Sequence, residues 1–377
     1  MRPSEPILAG PGAQISRVPP SKLLHMSRPT EGLNVAVVGA TGLVGQEMLR
    51  VLKQRKFPVA GLKALASERS AGSEVRWNGS TILVEALAEH SFEGIDLALF
   101  SAGSGASLVH APIAAEAGAL VVDNSSAWRM QQNVPLVVPE VNHRDISDNE
   151  GIIANPNCCA IPLTVALEPL RRAAGLKRVV VATYQSASGA GKALVDELED
   201  QTKAISTGHA PEIHVYPHQL AYNVVPGGWP AEGDGHNEEE VKIVSETRKI
   251  MHHPGLPVVA TCVRVPVPIG HGEAVFVETE RELGAEEARE LLREGEGIVV
   301  VDGPGDQDYP TPVAIAGSDE VYIGRIRKDP STSGGLALWI VSDNLRKGAA
   351  LNAVQIAERA LDLGILSGAR MGGVSDG

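Results

Sequence analysis

The fold is decided near the start of the chain by the stretch Asn34-Val-Ala-Val-Val-Gly-Ala-Thr-Gly-Leu-Val-Gly45. Residues 34–38 form a short apolar run with β-branched side chains, which predicts a buried strand. A glycine-rich turn follows, and a helical pattern then continues to about Gln54. This order of strand, tight turn and helix predicts the first βα unit of a parallel sheet.

The glycine-rich turn has the features of a dinucleotide site. Small residues let the backbone approach a pyrophosphate, and the N–H groups of the following helix favour its charge. Glycines alone are a weak signal, but their place between a strand and a helix strengthens it. We expect this turn to bind the cofactor through Gly39, Thr41, Gly42, Leu43, Val44 and Gly45.

The residues after the second predicted strand, Gly61–Ala66, indicate which cofactor is bound. In NAD sites an acid at this position holds the ribose 2′-hydroxyl. Here Ser67, Arg69 and Ser70 offer donors suited to a 2′-phosphate, and arginine can bind phosphate bidentately. We therefore expect NADP, although Glu68 could hold the hydroxyl of NAD instead.

The alternation of strands and helices continues to about Asn157 and then changes. Later strands, among them Arg178–Gln185, do not alternate strictly with helices, which favours a mixed or antiparallel sheet. The sequence thus predicts an α/β protein with a Rossmann-type parallel-sheet cofactor domain and an α+β catalytic and dimerisation domain. The expected parts are a disordered tail (1–31), the cofactor domain (32–157), the second domain (158–342) and a C-terminal helix that completes the first domain (343–370).

Composition excludes several classes of function. The chain has 377 residues and a net charge of −13, so nucleic acid and anionic membranes are poor partners. No apolar run is long enough for a membrane helix. Three cysteines without a repeated spacing argue against disulfides and structural metal and indicate a reducing, cytoplasmic compartment.

The candidate nucleophile is Cys158, which stands with Asn157 at the predicted start of a helix. The positive end of the helix dipole lowers a thiol pKa there, whereas Cys159 is expected inside the first turn. Two small buried cysteines are an equally good interpretation from spacing alone. His271, in a glycine-flanked turn, is the candidate acid/base, and Arg264, among β-branched residues, suits a carboxylate.

Several separated stretches together resemble the aspartate-β-semialdehyde dehydrogenase family. The likeness extends from about Leu33 to Ile365. It is carried by the segments 37–45, 123–129, 139–142, 155–158, 183–191 and 239–242, by Arg264 with His271, and by the segment 342–350.

The resemblance implies NADPH-dependent interconversion of L-4-aspartyl phosphate and aspartate semialdehyde by a homodimer, in lysine, threonine and methionine biosynthesis. It implies that Cys158 forms a thioacyl intermediate, that His271 is the acid/base and that Gln185 orients the acyl group. The substrate would be bound by Arg129, Asn157, Glu239, Lys242 and Arg264. The cofactor would also contact Ser101, Ser188, Gly189 and Asn344.

Two features depart from the family pattern. Cys159 follows the nucleophile where many relatives have another small residue, and the loop Gly227–Gly235 has an unexpected form that could affect dimer contacts or access. The alternatives are an N-acetyl-glutamyl-phosphate reductase-like enzyme, a glyceraldehyde-phosphate-type dehydrogenase and a non-catalytic NADPH-binding protein. A free substrate amino group requires an acid such as Glu239, which favours the aspartyl substrate.

Overall fold

The computed structural model describes residues 32–305 and 307–366. The predicted tail and the last residues of the expected C-terminal segment, 367–370, lie outside this range. Among the described residues, no helix is both long enough and apolar enough to cross a membrane.

The first half of the chain forms a parallel sheet with helices on both faces. Its strands are β1 (Leu33–Val38), β2 (Val59–Ala66), β5 (Glu85–Ala86), β6 (Leu97–Phe100), β7 (Leu120–Asp123) and β8 (Ile152–Ala154), and a hairpin of β3 (Glu74–Trp77) and β4 (Ser80–Leu83) lies beside them. The helices are α1 (Leu43–Gln54), α2 (Ser104–Glu116) and α3 (Pro139–Asn142). The strand order β5-β2-β1-β6-β7-β8, with every pairing parallel, confirms the Rossmann-type prediction.

The second half forms a mixed sheet, as predicted. Its strands are β9 (Arg178–Gln185), β10 (Val258–Arg264), β11 (His271–Glu278), β12 (Ile298–Val300), β13 (Val321–Asp329) and β14 (Gly335–Ser342). The helices are α4 (Ala160–Ala174), α5 (Lys192–Ser206), α6 (Glu238–Ile250), α7 (Ala285–Arg293) and α8 (Pro312–Ile315). The strand order is β10-β9-β11-β14-β13-β12, with parallel pairs only at the two edges.

The two faces of this mixed sheet differ. Alternate residues of β9 are buried, as the two-residue period of a strand predicts, and with residues of β11 they share a core cluster with α4. On the same sheet, α6 packs on β10, α4 on β13 and β14, and α7 on β12 and β13. The opposite face carries partly exposed apolar side chains, including Tyr184, Val259 and Phe276. One face therefore contributes to the core, and the other is an apolar surface.

Sequence reasoning placed most of these elements but missed β14. This strand lies between β11 and β13 and is buried along almost its whole length. Its sequence has no polar alternation, so the signal used for half-buried strands is absent. α7 was missed because its buried side is narrow, with Ala288 and Leu292 one turn apart among charged residues.

The C-terminal helix α9 (Leu351–Asp362) returns to the first sheet. Leu351, Val354 and Ile356 are fully buried in the same cluster as Val35 and Val37 of β1. A wider, π-type turn over Arg346–Ala350 precedes the helix. The core of the first half is therefore completed by residues from the other end of the chain.

Buried ion pairs hold this returning segment in place. Lys347 is 1 % exposed, and its Nζ lies 2.7 Å from both carboxylate oxygens of Glu140. Asn352 and Gln355 accept further hydrogen bonds from the same ammonium group. Nearby, Arg346 Nη1 lies 2.5 Å from Glu47 of α1. Because each charge has a partner, the segment can be buried without an isolated ion.

Replacing Leu351 by alanine should therefore destabilise the protein. A leucine truncated in a packed core costs about 2–5 kcal/mol in the free energy of unfolding. Leu363, at the exposed end of the same helix, is the matched control, and its truncation should cost less than about 0.5 kcal/mol. Denaturant unfolding of both variants tests this, and equal losses would show that α9 is not part of the core.

Candidate active site

Strand ends from the mixed sheet bring three candidate residues together. Gln185 ends β9 and Arg264 ends β10, and the two residues are paired across parallel strands. β11 runs antiparallel to β9, so its first residue, His271, lies at the same edge. The sheet thus collects an amide, a guanidinium and an imidazole from distant parts of the sequence.

The loop 155–159, which carries the candidate nucleophile Cys158 and is called the nucleophile loop below, reaches this edge from β8. The Asn157 side-chain oxygen accepts from the backbone N–H groups of Cys159 and Ala160 at 2.8 and 3.4 Å. α4 begins at Ala160, so the prediction that Cys159 enters the first turn is wrong by one residue. The reason is that Asn157 satisfies these N–H groups before the helical pattern begins. Cys158 is partly exposed, and Cys159 is fully buried.

Cys158 and His271 are in contact. Cys158 Sγ lies 3.4 Å from His271 Nε2. On the other side of the ring, Nδ1 accepts from the Ser186 backbone N–H at 3.0 Å. This contact assigns the proton of the neutral imidazole to Nε2, where it can be donated to the sulfur.

The three cysteines have different acidities. The adjoining Cys159 thiol, followed by His271, lowers the pKa of Cys158 well below its ordinary value, against the effect of burial. Burial raises the pKa of Cys159 well above its ordinary value, and burial also raises the pKa of Cys262. Only Cys158 combines exposure with thiolate character, so the interpretation as two inert buried cysteines does not describe this pair.

Two acids of α6 hold the nucleophile loop. Glu246 is buried, and its carboxylate accepts from Arg129 Nη1 at 3.0 Å and from the backbone N–H of Asn157 at 2.6 Å. Glu239 accepts from the side-chain amides of Asn157 and Gln185 at 2.9 and 3.1 Å. α6 therefore fixes both the loop that precedes Cys158 and the buried Arg129.

The spacing of Glu239 and Lys242 by itself suggests a surface ion pair, and this interpretation is wrong. Glu239 is 6 % exposed, while Lys242 pairs with Glu238 at 2.5 Å. Glu246 was not predicted at all. It stands seven residues after Glu239, the spacing of one helical face, so this periodicity could have indicated it.

Each of two buried arginines retains donors for a ligand. Arg129 donates from Nε, Nη1 and Nη2 to Asn155 O, Glu246 and Asn124 O, which leaves one N–H on each terminal nitrogen. Arg264 donates from Nη1 to Ser186 O at 2.7 Å, and its buried Nε has no hydrogen-bond partner among the described residues.

A cavity of about 310 Å³ lies between these groups. Its wall includes most of the candidate residues, namely Val44, Arg129, Asn157, Cys158, Gln185, Ser188, Gly189, Glu239, Lys242, Arg264 and Asn344, together with Trp229. His271 lies behind Cys158. A larger cavity, of about 520 Å³, lies between Arg55, Glu140 and Arg359 and contains none of the predicted site residues.

Buried polar residues beside the cavity join the C-terminal segment to the site. The Asn344 side-chain oxygen accepts from Gly270 N at 2.8 Å, and its amide nitrogen donates to Ser188 Oγ at 2.9 Å. Deeper in the sheet, burial raises the pKa of Glu273 well above its ordinary value. Neither carboxyl oxygen of Glu273 has a partner among the described residues, and sequence reasoning did not identify this residue.

The glycine-rich turn has the geometry of a dinucleotide cradle. Gly39 has a φ of +86°, and a Cβ there would collide with the backbone of Ser101 at the end of the neighbouring strand. α1 begins with Gly42 as its N-cap and has no side-chain cap, so its first N–H groups remain available to an anion. These residues fit a pyrophosphate.

The predicted 2′-phosphate loop lies beyond the carboxyl end of β2. Ser67 and Arg69 are exposed, Ser70 is half-buried, and a short helical turn spans Glu68–Ser70. Because β2 is the parallel neighbour of β1, this loop adjoins the glycine-rich turn. Unlike Val44 and Asn344, these residues do not line the cavity that contains Cys158.

Known families match both halves of the chain. The model of the semialdehyde dehydrogenase NAD-binding domain matches residues 34–149, and that of the semialdehyde dehydrogenase dimerisation domain matches residues 167–347. Together with the parallel and mixed sheets, these matches define the chain as a semialdehyde dehydrogenase, a nucleotide-dependent oxidoreductase.

Individual relatives are more specific. The chain is 51 % identical over 339 residues to aspartate-semialdehyde dehydrogenase of Aquifex aeolicus, covering 89 % of this chain and all of the relative. It is 48 % identical over 343 residues to the enzyme of Bacillus subtilis, covering 89 % of this chain and 99 % of the relative. The chain belongs to the aspartate-semialdehyde dehydrogenase family.

Solved structures agree with this assignment. Aspartate semialdehyde dehydrogenase II of Vibrio cholerae complexed with ASA superposes with a TM-score of 0.86 at 47 % identity, covering 88 % of this chain and 99 % of that one. The NADP-bound enzyme of Candida albicans has a TM-score of 0.68 at 25 % identity, with coverages of 88 % and 99 %.

The lowered pKa of Cys158 predicts selective alkylation. Its thiolate should persist at a pH where ordinary thiols are protonated, so iodoacetamide should label Cys158 alone at about pH 7. In His271→Ala the pKa should rise, and labelling at this pH should slow about tenfold. Mass spectrometry measures both. Cys158→Ala is the control, and labelling of Cys159 or Cys262 in that variant would contradict the assignment.

Proposed function

We propose that the protein reduces L-4-aspartyl phosphate to L-aspartate 4-semialdehyde with NADPH, reversibly, through a thioester on Cys158. The observation that carries the proposal is the 3.4 Å contact between Cys158 Sγ and His271 Nε2 at the wall of a cavity lined by basic residues. The reaction would serve lysine, threonine and methionine biosynthesis. This pathway assignment follows from the family resemblance.

The ends of the substrate differ in charge, and so do the groups around the cavity. Arg264 has an unpaired Nε and suits the α-carboxylate. Glu239 is a buried acid that suits the positively charged α-amino group. In an N-acetylated substrate this nitrogen carries no charge. Arg129, Lys242 and the Asn157 side chain would hold the phosphate, for which Arg129 retains two N–H groups.

The chemistry begins with attack of the Cys158 thiolate on the acyl carbon, and phosphate leaves from the acyl group. The developing oxyanion needs a donor. The backbone N–H groups of Asn157 and Cys159 are already donated to Glu246 and to the Asn157 side chain. The Cys158 N–H is therefore the donor that we assign to the oxyanion. Gln185 would orient the acyl group.

His271 would be the acid/base for the oxygen of the reacting acyl group. Its ring is fixed by the Ser186 N–H at Nδ1, and Nε2 contacts the sulfur to which the reacting carbon would be bonded. Nε2 would deliver a proton to this oxygen when the thioester is reduced, and it would take the proton back when the thiohemiacetal collapses to the aldehyde and the Cys158 thiolate. The reverse direction would use the same transfers in the opposite order. Attack by the thiolate divides one difficult reduction into two easier steps.

NADP is the cofactor that we propose, held at the pyrophosphate by the turn 39–45 and at the 2′-phosphate by Ser67, Arg69 and Ser70. The Candida albicans relative carries NADP, which supports this choice. Ser101, Ser188, Gly189 and Asn344 would complete the site. When bound, the cofactor would supply the hydride for the reduction.

A homodimer is part of the proposal. The family model that covers residues 167–347 is a dimerisation domain. The open face of the mixed sheet carries Tyr184, Val259 and Phe276, each about two-fifths exposed. This apolar face is the surface that we assign to the second subunit.

The central test is phosphate-dependent reduction of NADP by aspartate semialdehyde. Wild-type protein should be active, and Cys158→Ala should have no activity above background because it has no nucleophile. His271→Asn should lower kcat about 100- to 10,000-fold, the usual contribution of acid–base catalysis. Cys262→Ala is the matched control and should keep its activity. Activity that persists in Cys158→Ala would refute the thioester mechanism. Activity with N-acetylated substrate alone would favour the reductase alternative.

Cofactor choice can be tested separately. Arg69→Ala should raise the KM for NADP about 10- to 100-fold, because a charged hydrogen bond to the 2′-phosphate is lost. The KM for NAD should not change. Arg293→Ala, another exposed arginine, serves as control. An equal effect of Arg69→Ala on both cofactors would contradict the assignment of the 67–70 loop to the 2′-phosphate.

A further inference from the structure

The loop that departs from the family pattern, Gly227–Gly235, contributes to the wall of the cavity. Its Trp229 is half-buried and lines the cavity with Cys158 and Arg264. None of the roles assigned above uses this side chain. Its large aromatic ring lies beside Arg264, the arginine that would bind the carboxylate.

Trp229 and Tyr216 stack against the same guanidinium group. Arg264 Cζ lies 4.8 Å from the ring centroid of Trp229 and 5.7 Å from that of Tyr216. Both distances are within the range of cation–π contacts. Arg264 is 2 % exposed, and it forms no ion pair with an acid among the described residues. Aromatic faces therefore take the place that a carboxylate usually has beside a buried arginine.

Within residues 32–305 and 307–366, one edge of the guanidinium has no hydrogen-bond partner. Nη1 donates to Ser186 O, and the buried Nε has no acceptor there. A carboxylate can receive two parallel N–H groups from one edge of an arginine. A ring 4.8 Å from Arg264 Cζ restricts the movement of the guanidinium, and with it the direction in which these donors point.

The loop is built to hold this ring in place. Val225 and Arg264 exchange two backbone hydrogen bonds, of 2.8 and 3.0 Å, so the loop is attached at the arginine itself. Gly228 has a φ of +92°, and a Cβ there would collide with the ring of Tyr216. The Tyr216 hydroxyl donates to Gly227 O. Gly228 thus lets the chain close over Tyr216 and places Trp229 beside Arg264.

We propose that Trp229 is a positioning residue that gives the enzyme its selectivity for substrates with an α-carboxylate. It acts through Arg264, whose free edge it holds toward the cavity. This inference rests on the proposed function, since it concerns how the same site recognises aspartate semialdehyde. Without the ring, the arginine gains freedom and the carboxylate loses a prearranged partner.

The test compares aspartate semialdehyde with 3-aminopropanal, the same aldehyde without its α-carboxylate. Trp229→Ala should raise the KM for aspartate semialdehyde about tenfold with little change in kcat, since a cation–π contact and its preorganisation are lost. Its kcat/KM for 3-aminopropanal should stay at the wild-type value. Trp229→Phe retains an aromatic face and should recover most of the affinity. Trp77→Phe, a half-buried tryptophan of β3, is the matched control.

A structural role would give a different result. If Trp229→Ala lowered kcat/KM for both aldehydes equally, or raised the KM for phosphate as much as that for aspartate semialdehyde, the proposal would be overturned. Unchanged kinetics would overturn it as well. Size-exclusion elution and circular dichroism identical to those of wild type exclude misfolding as the cause.

A binding measurement separates this inference from the proposed function. L-aspartate should change the tryptophan fluorescence of the wild type saturably, whereas β-alanine, which lacks the α-carboxylate, should not. The change should disappear in Trp229→Phe and persist in Trp77→Phe. If this pattern occurs in a protein that does not turn over aspartate semialdehyde, the proposed function fails and the carboxylate site stands. No saturable change with L-aspartate would overturn the inference, even in an active enzyme.

Discussion

The hydrogen bonds of Asn157 are the interaction on which the rest of the site depends. Its side-chain oxygen ends the loop and begins α4, its amide nitrogen binds Glu239, and its backbone N–H binds Glu246. The next residue is Cys158, whose orientation is therefore set by two separate elements, α4 and α6. An aspartate at this position would keep the helix cap but would face Glu239 as a like charge. The site therefore requires an amide, whose oxygen accepts from the start of α4 and whose nitrogen donates to Glu239.

This arrangement explains how strands from different sheets can form one cavity. β8 delivers the nucleophile loop from the parallel sheet, while the mixed sheet delivers His271, Gln185 and Arg264 at one edge. α6 lies between them, and its acids contact both groups. An acidic protein can hold an anionic ligand here because its few local arginines are buried and oriented, whereas most of its acids lie elsewhere on the surface.

Much of this organisation could be predicted from the sequence, because glycine turns, β-branched runs and helix starts are local signals. Resemblance supplied the roles of residues such as Glu239, whose spacing alone suggested a surface ion pair. The strand β14 was missed because it lacks the alternation of a half-buried strand, although its continuous apolar run is the same kind of signal as that of residues 34–38. Trp229 had no signal either, since its partner Arg264 lies far along the chain and only the folded loop brings them together. Glu246 did have a sequence signal, its helical spacing from Glu239, but the many other charged residues of α6 obscured it.

The return of α9 to the first sheet has a consequence for how the protein is made. Leu351 and its neighbours fill the core around β1, although they are synthesised long after β1 itself. The amino-terminal half therefore emerges first but exposes an unfilled apolar groove until α9 has also emerged. Contacts this distant in sequence form slowly and leave partly folded chains prone to association. Nascent chains of this protein should consequently depend on chaperones at the stage when the amino-terminal half is out and the carboxy-terminal helix is still in the exit tunnel.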